Sequence, residues 1–223
     1  MKFGVVIFPG SNCDADMINA LQYDLGQEVI SLWHKDKDLS MFNASDCIVL
    51  PGGFSFGDYL RCGAIARFSP MMQSVIEFAK KGGKVFGVCN GFQILCESGL
   101  LPGVLLQNAH MQFACKNVFL TGPERNYNEV YRIPVAHGEG RYFARENELE
   151  EIIKNNQVLY SYCNEKGEID IEYSPNGSIN SIAGISNKER NVFGMMPHPE
   201  RACDPTLGNT DGKKIFEDLF SIN

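Results

Sequence analysis

The 223-residue chain carries eight cysteines and four histidines, and one of each stands in a pattern that could do chemistry. Gly87-Val88-Cys89-Asn90-Gly91 puts a cysteine between two glycines, after the apolar run 84–88 and before the helix-like stretch 90–98. This is the spacing of a nucleophile elbow with sulfur in place of a hydroxyl. So abrupt a reversal from strand to helix forces unusual backbone angles, and the flanking glycines leave room for them. The middle side chain is pushed into the open. At the head of a helix it would meet unpaired N–H groups and the positive end of the helix dipole, both of which favour a thiolate.

A nucleophile needs a base. His198 lies in Met196-Pro197-His198-Pro199-Glu200, where Pro199 keeps His198 out of a helix. In an extended backbone His198 and Glu200 project to the same side, with Pro199 turned away. The carboxylate could then hold one ring nitrogen while the other faces a thiol, the arrangement for nucleophilic attack on a carbonyl carbon. His34 and His110 read as surface or loop residues. His137, in Ala136-His137-Gly138-Glu139-Gly140-Arg141, is flanked by glycines that let backbone approach a ligand. No two histidines have zinc-like spacing to one another or to cysteines, so no metal is expected. The other seven cysteines are dispersed without a Cys-x-x-Cys pair and read as reduced, mostly buried thiols.

The elements that must position these residues follow from the hydrophobic pattern. The run 2–8 reads as a parallel strand covered on both faces. Residues 14–25 carry Met17, Leu21 and Leu25 at helical spacing, with Gly26 as the stop. Strands are expected at 28–33 and 46–50, the latter running into Pro51-Gly52-Gly53. Residues 69–83 start with Ser-Pro and end with Lys-Lys-Gly-Gly, which predicts a capped helix. Beyond residue 104, strands are expected near 112–121, 129–136, 157–162, 168–173, 178–186 and 192–196, with helices near 145–155 and 210–222. Alternating β and α predicts one α/β domain over 1–223, a mostly parallel sheet flanked by helices with extra strands in the second half. Ligands bind such sheets at the carboxyl ends of the strands, where Pro51-Gly52-Gly53 and Cys89 should lie.

A net charge of −7 with scattered Lys and Arg lacks the footprint of a nucleic-acid binder. The amino-terminal apolar run is too short for a signal peptide or a membrane span, so a cytoplasmic location is expected.

Taken together, the motifs resemble the class I (triad) glutamine amidotransferases, whose sheet is flavodoxin-like. The segments 8–14, 51–67, 87–95, 136–141 and 195–202 are most similar to the glutaminase subunits of phosphoribosylformylglycinamidine synthases of purine biosynthesis, in their short free-standing form. Phe56 departs from that pattern, which has tyrosine. The resemblance implies Cys89 as nucleophile, His198 as base and then acid, and Glu200 as its orienter. It implies oxyanion donors at the backbone N–H of Gly53 and Asn90, and glutamine contacts from Gln93, His137 and Gly138. The implied product is ammonia, passed to a large synthetase subunit with a small bridging subunit between them. No phosphate-binding G-x-x-x-x-G-K-[ST] loop is present, so ATP and magnesium are expected on the synthetase subunit, with no cofactor in this chain. Asp58, Tyr59 and Arg61 are expected to face the partner or the site. Three other readings stay open: a glutaminase for another acceptor, a different cysteine hydrolase of the same fold, and a non-catalytic module. Residues 198–200 argue against the last two.

Overall fold

The computed structural model describes residues 1–122 and 129–222. Eleven strands and five α-helices follow in chain order: β1 (Lys2–Ile7), α1 (Asp14–Asn19), β2 (Glu28–Trp33), β3 (Cys47–Leu50), α2 (Pro70–Lys80), β4 (Lys84–Val88), α3 (Asn90–Glu97), β5 (Val104–Leu106), β6 (Ala114–Thr121), β7 (Val130–His137), β8 (Arg141–Phe143), α4 (Glu146–Lys154), β9 (Val158–Cys163), β10 (Ile182–Ser186), β11 (Val192–Met195) and α5 (Asp211–Phe220). Nine of the strands form one sheet in the order β2-β1-β3-β4-β11-β10-β9-β6-β7. The first five are parallel and the remainder antiparallel. The sheet is therefore mixed: the βα rhythm of the first half gives the parallel part, and the second half adds an antiparallel extension. β5 and β8 form a separate two-stranded ribbon that the hydrophobic pattern did not announce.

The parallel strands show why the core sits where it does. Phe86 of β4 and Phe193 of β11 reach α5, with ring centroids 5.9 Å from Phe216 and 6.0 Å from Phe220 respectively. Gly87 and Gly194, next in each strand, face the opposite side, where a β-carbon would collide with Gly91 and Leu95 or with Phe92 of α3. Alternation along each strand thus seats aromatic rings under α5 and bare backbone under α3. The nucleophile helix can then lie close against the sheet.

Two local expectations change. Residues 168–173 are not a strand: Ile171–Tyr173 form a 3₁₀ turn whose start is capped by Asp170, which accepts from the Glu172 N–H at 3.0 Å. Ile169 and Ile171 are about half exposed, so no neighbouring sheet surface rewards pairing there. The first helix is α-helical only to Asn19 and continues as a π-helical turn over Ala20–Asp24. Of the two histidines expected at the surface, His110 is exposed, but His34 is buried. The His34 ring packs 5.3 Å from Phe56 and 4.6 Å from Trp33, and burial lowers its pKa. No helix among the described residues is long and apolar enough to cross a membrane.

Candidate active site

The carboxyl ends of β3, β4 and β11 lie side by side, with Leu50 opposite Gly87 and Met195 opposite Val88. The register delivers Pro51-Gly52-Gly53, Cys89 and His198 to one place. Cys89 sits between β4 and α3 at φ 50° and ψ −106°, a conformation costing on the order of 1–3 kcal/mol for a residue with a β-carbon. Its backbone is held by Cys89 N–H to Met195 O at 2.8 Å and by Gln93 N–H to Cys89 O at 3.1 Å. The elbow glycines are required for contact as well as for the turn. A β-carbon on Gly91 would run into Leu50 O, and one on Gly87 would lie 2.6 Å from Gly91 O. Gly52 serves the same end, since a β-carbon there would sit 2.7 Å from His198 Cε1 and 3.4 Å from Cys89 Cβ.

His198 and Glu200 are both almost fully buried, and His198 Nδ1 lies 2.6 Å from Glu200 Oε1. They do not meet across an extended backbone. Pro199–Ala202 wind into a 3₁₀ turn with Pro199 at its first position, where its fixed φ suits a helical start. The turn brings the carboxylate under the ring, and His198 N–H donates to Pro134 O at 2.9 Å, tying the segment to β7. Burial alone would lower the His198 pKa, but the Glu200 carboxylate and then the Cys89 sulfur outweigh it and raise it to about 10. Among the described residues His198 Nε2 completes no hydrogen bond, and the group it couples to is the Cys89 sulfur. A buried imidazolium against a cysteine suits thiolate attack followed by proton donation to a leaving group.

Around this centre the expected residues divide. Gly53 has φ 123°, and a β-carbon there would lie 2.5 Å from Asn12 N, so only glycine fits the turn. Its N–H has no acceptor among the described residues. Asn90 occupies the first position of α3, where the helix supplies no acceptor for its backbone N–H. Gln93 is buried and spans the mouth of the site: its Oε1 accepts from Asn90 Nδ2 at 2.9 Å, and its Nε2 donates to Glu139 O at 2.6 Å. The His137 ring is not in the open cleft. It is buried beneath its own loop, with Nδ1 3.2 Å from Asn108 Oδ1, because Gly140 leaves the ring its space. Burial first, and then the His198 charge, lower its pKa to about 4. Since Asn108 Oδ1 can only accept, neutral His137 carries its proton on Nδ1. Gly138 is partly exposed, and its carbonyl accepts from Asn108 N–H at 2.9 Å. Asp58 lies beside the site, bonded to Asn90 Nδ2 at 3.1 Å. Tyr59 is exposed, and Arg61 pairs with Glu97 at 2.7 Å.

Two supports of the site are not among the residues expected from the motifs. Asn108 is fully buried and bonds His137 O, Gln112 O, Gly140 N and His137 Nδ1, so one side chain shapes the whole 137–140 loop. Arg201 donates from Nη2 to Cys13 Sγ at 2.9 Å and from Nε to Asp16 at 3.0 Å, joining the segment after Glu200 to α1. Its position next to Glu200 was the available signal, but its contacts are 185 and 188 residues away along the chain.

Residues 1–218 match the profile of the CobB/CobQ-like glutamine amidotransferase domain. The chain belongs to this family. Two of its glutamine amidotransferase relatives are phosphoribosylformylglycinamidine synthase subunits PurQ. That of Gloeobacter violaceus is 51% identical, covering 99% of this chain and 97% of the relative. That of Trichormus variabilis is 53% identical with the same coverage. Among solved structures, a chain of PurLQS from Thermotoga maritima superposes with a TM-score of 0.83 at 40% identity, over 99% of this chain and 97% of that one.

Proposed function

We propose that this chain, acting as one domain over residues 1–223, is the glutaminase subunit of a phosphoribosylformylglycinamidine synthase. It hydrolyses L-glutamine to glutamate and ammonia. A synthetase subunit, joined through a small bridging subunit, uses the ammonia with ATP to convert formylglycinamide ribonucleotide to formylglycinamidine ribonucleotide in purine biosynthesis. ATP and magnesium belong to that partner. The cytoplasm is the compartment of this reading, in keeping with eight free thiols in one chain. The observation that carries the reading is the buried Cys89, His198 and Glu200 constellation on a strained elbow, in a chain half identical to PurQ subunits along nearly its whole length.

The geometry orders the steps. The Cys89 thiolate attacks the side-chain amide carbon of glutamine, a carbon–sulfur bond forms, and the carbonyl electron pair moves to oxygen. The N–H groups of Gly53 and Asn90 meet that oxygen; one such donor is worth about 3–4 kcal/mol. The His198 imidazolium gives its proton to nitrogen as the carbon–nitrogen bond breaks, releasing ammonia and leaving a thioester. Neutral His198 then takes a proton from water, which attacks the thioester. Collapse expels the thiolate and frees glutamate, restoring the starting pair. Glu200 holds Nδ1 throughout, so the ring keeps Nε2 turned to the reacting atoms.

The test is glutamate release by wild type and Cys89→Ala, each alone and with the synthetase and bridging subunits, ATP and the ribonucleotide. Release that needs Cys89 and rises when the complex is complete is the expected result. Glutamate release unaffected by Cys89→Ala, or none under any condition, would overturn the reading.

A further inference from the structure

The segment 54–68 wraps α3 and is fastened at both ends of that helix. At the far end, Arg61 and Arg67 converge on the Glu97 carboxylate at 2.7 and 3.9 Å, and Arg67 also donates to Glu97 O at 2.9 Å. In the middle, Gly63 presses so close that a β-carbon would lie 2.8 Å from Ile94 N. At the near end the fastening is Asp58. Its Oδ1 accepts from Asn90 Nδ2 at 3.1 Å. Ser55 and Phe56 tie the start of the turn inward, through Ser55 N–H to Asn90 Oδ1 and Phe56 N–H to Pro9 O, but the residues after Asp58 point outward, with Tyr59 74% and Leu60 92% exposed. Phe56, Gly57, Asp58 and Leu60 all have positive φ between 52° and 73°, a run that local preference alone does not maintain.

Asn90 is where that anchor reaches the chemistry. Its side chain is buried and fully used: Oδ1 accepts from Ser55 N–H at 3.2 Å, and the two Nδ2 hydrogens go to Asp58 and Gln93. Gln93 passes the connection to Glu139 O on the opposite loop. A hydrogen-bonded line therefore runs from Asp58 through Asn90 and Gln93 to the 137–141 loop. Along it lie the residue whose backbone N–H faces the oxyanion and the turn that follows Gly53.

We infer that Asp58 is a positioning residue for glutamine hydrolysis: by fixing the Asn90 side chain it holds the Asn90 and Gly53 donors in line with the developing oxyanion. This rests on the proposed glutaminase reading. An amide donor with no acceptor in a buried place turns to find one, and the residue it belongs to moves with it. A donor displaced by a fraction of an ångström loses most in the transition state, where the oxygen carries its charge, and little in substrate binding. The choice of aspartate fits the site, since it tolerates a positive φ better than most residues and can accept from the Asn90 amide.

Asp58→Ala and Asp58→Asn separate this role from its rivals. In the assembled complex, Asp58→Ala is expected to lower kcat for glutamate release about 10-fold or more, with KM changed less than about threefold. Asp58→Asn, whose amide oxygen still accepts from Asn90, is expected to recover most of the loss. A rise in KM with kcat retained in both variants would mean that Asp58 touches the ammonium of glutamine, and would overturn the inference. So would unchanged kcat in Asp58→Ala, or equal loss in both variants with urea midpoints like wild type. Wild type and Cys89→Ala run in the same series: failure of wild type to release glutamate, or release that survives Cys89→Ala, brings down the glutaminase reading and this inference with it.

Discussion

Replacing Glu200 by glutamine keeps the shape of the triad and removes its charge. In the folded protein the His198 pKa rises from 6.5 to about 10, a change worth about 5 kcal/mol of interaction favouring the charged ring. Glu200 is the largest of the raising partners and Cys89 the next, and removing one member of a buried pair costs about 3–5 kcal/mol. The sign fixes the pH window. A histidine whose pKa is raised by folding stabilises the fold fully below 6.5, and that stability is lost as pH rises through about 10. Glu200→Gln should therefore cost about 3–5 kcal/mol at pH 6 and close to nothing from this source above pH 10. Urea unfolding of both proteins at pH 6, 8 and 10.5 measures it directly. With the carboxylate gone, the His198 pKa should fall from about 10, a shift readable in the imidazole resonances. The kcat for glutamate release should fall by on the order of 10³–10⁴, because an amide can hold the ring in the wrong tautomer and the charge that steadies the imidazolium is gone. Equal destabilisation at pH 6 and 10.5 would mean that the pair contributes only packing and a neutral hydrogen bond, and the reasoning would be refuted.

Gly91→Ala should abolish soluble, active protein, since its β-carbon meets Leu50 O and neither backbone can yield without moving the nucleophile; expression yield and thermal melting test this. His137 titrates the other way from His198. Its folded pKa of about 4 lies below the unfolded value, so about 3 kcal/mol of stability is lost as pH falls from 6.5 to 4, and His137→Gln should flatten that slope in urea unfolding. Arg61→Ala removes a largely exposed arginine from a carboxylate that keeps Arg67 and should cost under about 1 kcal/mol of stability, while weakening the stimulation of glutamate release by the synthetase subunit; unchanged stimulation would remove Arg61 from the coupling.

Much of this site was legible because its chemistry is local in the chain. The elbow needs its glycines within two residues of Cys89, and the His-Pro-Glu segment carries base and orienter two residues apart, so both patterns survive being read without a fold. The parallel half of the sheet was legible for the same reason, since buried parallel strands are unbroken apolar runs such as 2–8 and 84–88. Where the reading went astray, the deciding partner was remote. His34 looks like a loop residue until Phe56, 22 positions later, closes over it. The 168–173 stretch alternates like a strand, but it pairs with no strand among the described residues and Asp170 turns it. The place of the His137 ring beneath its own loop is likewise set from afar: Gly140 leaves it space, and Asn108, 29 residues away, holds it there. The same distinction explains why Asp58 invited notice without showing its role. Its polarity beside Pro51-Gly52-Gly53 marks it as close to the site, but the hydrogen bond that gives it consequence is to Asn90, 32 residues away across the sheet ends. Residues that perform a step must sit in a fixed local geometry and leave a motif; residues that hold that geometry in place are chosen by the fold, and emerge only when its elements are assembled.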